Sequence, residues 1–205
     1  MTAPPIPSGQ ASVDLYWLPL GAGAGGQCVR GSGRLYEALI ATRRHRPRSD
    51  LYHSALIVEL DGHAYAIEMA PVWAVRESQR GVISEGPVGS PSWGRSPLFR
   101  YEIRCWRDGT IPDAATAVDS PRRLSTEPVM AQRVLDLVPF CPVVTWGRDE
   151  LLTGEMWNSN SLTSWLLARS GHHTNPIRPP TGGRAPGWAA GLTVAARADD
   201  IVIGV

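Results

Sequence analysis

The sequence predicts an α+β fold, an antiparallel sheet packed with a few helices. Three observations predict it. Two strand-like runs flank Asp61-Gly62, apolar and polar residues alternate from Phe99 to Trp106, and two apolar-faced helical segments follow later in the chain.

Residues 1–11 are Pro-rich and read as a disordered arm ahead of one domain over 12–205. The segment Met1 to Gln10 has neither a basic nor an apolar region of the kind a secretory leader carries. Val13 to Leu18 is a short apolar strand, closed by Pro19 and a glycine run. That run, Gly21-Ala22-Gly23-Ala24-Gly25-Gly26, satisfies G-x-G-x-x-G. A dinucleotide site would need a helix at once and an acidic residue closing the next strand. Arg30-Gly31-Ser32-Gly33 interrupts any such helix, so a flexible loop is expected.

Gly33 to Arg44 has helical spacing, with Leu35, Leu39 and Ile40 on one face. Arg43, Arg44, Arg46 and Arg48 follow as a solvated basic cluster near the helix C-terminus. Tyr52 to Leu60 is a strand, Asp61-Gly62 a two-residue turn, and His63 to Met69 the returning strand. In that register Leu60 opposes His63 and Ala55 opposes Glu68, so His53, Ala55 and Glu68 share a face.

Residues 78–97 read as an extended loop or edge segment. From 99 to 106 the sequence predicts a half-buried strand, with Phe99, Tyr101, Ile103 and Cys105 on one face and Arg100, Glu102, Arg104 and Trp106 on the other. A loop is expected over 107–124. A helix capped by Ser125 or Thr126, with Pro128 in its first turn, should run to about Val138. Val143 to Trp146 is a short strand candidate. Ser161 to Ser170 should be helical and stop at Gly171. Residues 174–191 read as loop, and Leu192 to Ala196 and Ile201 to Val205 as late strands.

Composition excludes several functions. Net charge is +1, so no overall field draws nucleic acid or an anionic membrane. The basic residues are all arginine, which removes lysine Schiff-base chemistry and a P-loop lysine. Cys28, Cys105 and Cys141 are far apart and odd in number, so neither a disulfide framework nor a cysteine zinc site is expected. His172-His173, with His53 and His63, lacks any metal-ligand spacing, and no cofactor is implied. No apolar run is long enough to span a membrane, and the cytoplasm is the expected compartment.

Two segments carry chemistry. On the hairpin, Glu68 is the diagonal neighbour of His53, the base–orienter half of a catalytic triad or a solvated pair of ordinary polar residues. Later comes Trp157-Asn158-Ser159-Asn160-Ser161-Leu162-Thr163, a polar turn entering an apolar-faced helix. Backbone N–H groups at a helix start suit a nucleophile's anion or an oxyanion, and the same residue types are ordinary N-caps. Trp146, Trp157 and Trp165 could wall an apolar groove or fill the core.

Tyr52-His53-Ser54-Ala55-Leu56-Ile57-Val58 and Asn158-Ser159-Asn160-Ser161-Leu162-Thr163 resemble the two motifs of the circularly permuted papain-like (NlpC-type) hydrolases. In these, histidine precedes the nucleophile, as in the PPPDE-type and lecithin:retinol acyltransferase-like domains. Their later motif is similar to N-C-N-[ST]-F-[ST]. The resemblance implies a hydrolase or acyl-transfer protein acting on an amide, isopeptide or ester. Ser159 would be nucleophile, His53 base and Glu68 orienter, with Asn158, Asn160, Ser161 and Trp157 holding oxyanion or substrate. The family cysteine falls on Ser159, and a hydroxyl cannot attack as a thiolate does. A second expectation is therefore a domain that has lost catalysis and binds a peptide, acyl group or protein partner in the former groove. A third is an unrelated small α+β domain whose motifs coincide, which a strand-borne His53 facing the Ser161 helix would exclude. Ser161 could exchange roles with Ser159, and Cys141 is a remote substitute. Nucleic acid is not an expected partner.

Overall fold

A computed structural model describes residues 11–20, 49–72 and 80–200. The Pro-rich arm up to residue 10, the Gly21–Gly26 run, Cys28, the helix expected from Gly33 to Arg44, the arginine cluster and the strand expected at Ile201–Val205 lie outside these.

The described chain is α+β. Strands β1 (Ser12–Pro19), β2 (Asp50–Leu60), β3 (His63–Pro71), β4 (Val82–Pro87), β5 (Arg100–Arg107) and β6 (Val118–Ser125) form an antiparallel sheet in the order β4-β5-β3-β2-β1-β6. Helices α1 (Pro128–Leu137), α2 (Ser159–Arg169) and α3 (Trp188–Asp200) follow, and a two-residue strand β7 (Gly183–Arg184) lies parallel to the start of β2.

The hairpin forms in the expected register, Leu60 opposite His63. Asp61 and Gly62 both adopt positive φ, 52° and 80°, the turn whose twist matches the strands it joins. Helix α2 closes with a complete Schellman motif. Gly171, at φ 90°, donates its N–H to Ala168, and His172 donates to Leu167.

Several expectations need correction. Val143 to Trp146 forms no strand, only an isolated bridge from Trp146 to Val88. Leu192–Ala196 is helical, part of α3, because the alanine-rich surroundings outweigh two β-branched residues, and Thr193 turns its hydroxyl back to the Ala189 carbonyl. The loop expected over 107–124 contains most of β6, whose short polar alternation pairs with β1 through an irregular register. The N-cap of α1 is Glu127, because Pro128 holds the preceding residue extended. Helix α2 begins two residues early, at Ser159, capped by Asn158.

The sheet buries both faces. On the helix side, Leu15, Leu56, Ile67 and Ile103 pack with Leu162 and Leu166 of α2. On the other side a smaller cluster joins Leu18, Ala55, Ala66 and Ile111. The half-buried reading of β5 therefore fails at its centre, where Glu102 and Arg104 are fully buried beside Tyr101 and Ile103.

Candidate functional site

Alternation along β2 decides the geometry. Tyr52, Leu56 and Val58 belong to the cluster packed on the helices, and the Ser54 hydroxyl donates to Asn160 Oδ1 of α2 at 2.9 Å. His53 lies between Tyr52 and Ser54, so its side chain takes the opposite face. Its cross-strand neighbour Leu18 belongs to the second cluster, on that same far face. Ser159 sits at the start of α2, on the helix side. The predicted Ser159–His53 pairing is thus not assembled; the two residues stand on opposite sides of β2.

Around α2 most of the motif's polar atoms are used to build the fold. Asn158 Oδ1 accepts from the N–H groups of Asn160 and Ser161, and Ser161 Oγ accepts from Asn158 N, a reciprocal capping box. Asn160 Nδ2 donates to the carbonyls of Tyr52 and Pro186, at 3.0 and 2.9 Å. Ser161 Oγ donates to Gly187 O and Ser164 Oγ to Trp188 O, both at 2.8 Å. These bonds clamp the α2 start between β2 and the α3 start. The predicted oxyanion holders Asn158, Asn160 and Ser161 therefore have structural partners. Trp157 is a core side chain whose indole N–H has no acceptor among the described residues. Ser159 is the exception. It is 3 % exposed, and its hydroxyl makes no side-chain hydrogen bond among the described residues.

On the far face, Glu68 lies on the side of His53 as expected, but its partner is Arg104, directly opposite on β5. Arg104 Nη1 donates to Glu68 Oε1 at 2.9 Å, Nε to Glu102 Oε2 at 2.8 Å, and Nη2 to the Pro71 carbonyl at 3.2 Å. Arg80 Nε adds a second bond to Glu102, at 2.7 Å. Two arginines thus neutralise two glutamates. The pairing holds Glu102 below the usual carboxylate range, its hydrogen bonds outweighing burial, while burial leaves Glu68 raised despite Arg104. Among the described residues His53 makes no hydrogen bond, so Glu68 does not orient it. Sequence reading missed this network. Its signal was the i, i+2 spacing of Glu102 and Arg104 opposite Glu68, visible only once a second buried face is assumed.

Burial lowers the half-buried His53 imidazole to about 4. A general base works best with a pKa near the working pH, and His53 lies well below that. Because the folded imidazole binds a proton less readily than the unfolded one, stability is full above about pH 6.5 and is lost as pH falls toward 4. The loss should be about 1–3 kcal/mol once titration is complete. Proton NMR should show the His53 ring neutral until strongly acidic pH, and His53→Gln should flatten that part of the urea-stability profile. A ring titrating near 6.5 would contradict this assignment.

Neither thiol among the described residues is activated. Cys105 is pushed up to about 11 by burial, and Cys141, buried beside Pro142, is raised further. Among the described residues no group of three or more His, Cys, Asp or Glu could hold a metal ion, and no helix is long and apolar enough to cross a membrane. No protein-family model, curated protein or solved structure matches the chain.

Proposed function

We propose that this chain is a binding domain of the permuted papain-like type, acting on a peptide, acyl group or protein partner without covalent catalysis. The observation that carries this reading is the placement of His53 and Ser159 on opposite faces of β2. Support for the fold type comes from the order of the motifs. A histidine-bearing strand precedes a helix that starts at Asn158-Ser159-Asn160-Ser161 and packs directly on that strand. Loss of catalysis fits the way Asn158, Asn160 and Ser161 are used in the clamp. We place the domain in the cytoplasm, where the free thiols of Cys105 and Cys141 stay reduced.

One observation favours a serine hydrolase as the second reading. The Ser159 hydroxyl, at the position of the family nucleophile, has no structural hydrogen-bond partner among the described residues. A labelling experiment separates the two. Purified protein is exposed to a fluorophosphonate and to a thiol-directed electrophile, with Ser159→Ala and His53→Gln in parallel. The binding reading expects no labelling that depends on either residue. Labelling abolished by both substitutions would overturn it in favour of covalent catalysis.

A further inference from the structure

The segment between β4 and β5 exposes three large apolar side chains and is used by neither the clamp nor the charge network. It folds as two 3-10 turns, Pro91–Arg95 and Pro97–Phe99. Trp93 is 54 % exposed, Leu98 70 % and Phe99 43 %. The Trp93 and Phe99 rings meet at 5.3 Å as one aromatic pair, and exposed Leu98 adjoins Phe99 in the chain. Each turn starts with a proline, which fixes φ and reduces the entropy lost when the patch is held against a partner.

Within the segment the charged residues are basic. No acidic residue lies between Glu85 and Glu102, whereas Arg95 and Arg100 both do. Arg100 is paired with Glu85, but Arg95 is exposed and has no ion pair among the described residues. Aromatic and aliphatic side chains beside an unpaired arginine match the chemistry of an anionic bilayer surface. There, tryptophan sits at headgroup depth and arginine meets lipid phosphates.

We propose that the Pro91–Phe99 loop docks this domain reversibly onto anionic lipid surfaces, Trp93, Leu98 and Phe99 entering the interface and Arg95 binding headgroup phosphate. One apolar patch with one cation gives peripheral attachment that salt weakens. The proposal is independent of what the domain binds elsewhere.

Flotation of the full chain with vesicles tests it, using phosphatidylcholine alone against an equimolar mixture with phosphatidylglycerol. The expected result is flotation with the mixture only, lost in Trp93→Ser and in Leu98→Ser. Arg95→Gln should weaken it about fivefold. Circular dichroism should be unchanged, because these side chains are exposed. Absence of flotation with folded wild type, or flotation indifferent to all three substitutions, would overturn the proposal. So would self-association of the wild type that Leu98→Ser abolishes without any vesicle binding, since the occupant of the patch would then be a second copy of the chain.

Discussion

Replacing Arg104 with methionine should cost roughly 3–5 kcal/mol, a large share of the about 5–15 kcal/mol that holds a domain together. The guanidinium is fully buried and serves three acceptors, Glu68, Glu102 and the Pro71 carbonyl. Methionine fills much of the volume but leaves the acceptors in place. Glu102 keeps Arg80, whereas Glu68 loses its one cation partner among the described residues and stays buried. The charge left behind, more than the lost bonds, sets the size of the effect.

The same change should reverse the pH dependence contributed by this network. In the wild type, Glu102 is held below its ordinary value, so its contribution is present above the unfolded pKa and lost as pH falls through the folded one. In Arg104→Met the buried Glu68, already raised by desolvation, rises further. Its ionisation then opposes folding, so the deficit is small in acid and grows as pH rises through the new folded pKa. Urea unfolding across about pH 5–8 checks this, and adding Glu68→Gln should recover part of the loss by removing the unpaired charge. A deficit equal at both ends of the range would mean that lost packing, not charge, dominates.

This network also shows where sequence reasoning reached its limit. The hairpin was legible because Asp61-Gly62 specifies a turn, and the turn specifies the register that puts His53 and Glu68 on one face. The helix start at Asn158-Ser159-Asn160-Ser161 was legible for the same local reason, a cap followed by apolar residues. Which face of β2 that helix would cover is a tertiary fact. Ser54 and Thr163, bonding Asn160 and the Ser54 carbonyl respectively, decide it, and both looked like ordinary polar residues in the sequence. Helix α3 was missed because Thr193 and Val194 carry a strand signal, while Gly191 suggested a loop.

Gly191 is there for a different reason, which leads to the second large effect. A Cβ at this position would overlap the Ser164 hydroxyl and the Ser161 carbonyl oxygen and come within 2.9 Å of the Trp165 amide nitrogen. Two of those three obstacles are backbone of α2 and cannot rotate away. Gly191→Val should therefore force α3 off α2 and cost about 3 kcal/mol, the upper end for overpacking a filled interface. Gly191→Ala should cost less, because alanine's better helix propensity returns about 1 kcal/mol. The displacement would also stretch the bonds from Ser161 Oγ to Gly187 and from Ser164 Oγ to Trp188, so the polar clamp should loosen together with the apolar contact. Ser164→Ala in the valine variant should rescue little, since it removes only the movable obstacle. Ala189→Val, on the exposed side of the same helix, is the control, and its cost should stay near the few tenths of a kcal/mol set by propensity. Thermal midpoints of the four variants measure the comparison. If valine at 191 proved as mild as valine at 189, the close α2–α3 approach would not hold in solution, and the clamp at the Ser159 helix start would have to be rebuilt on other contacts.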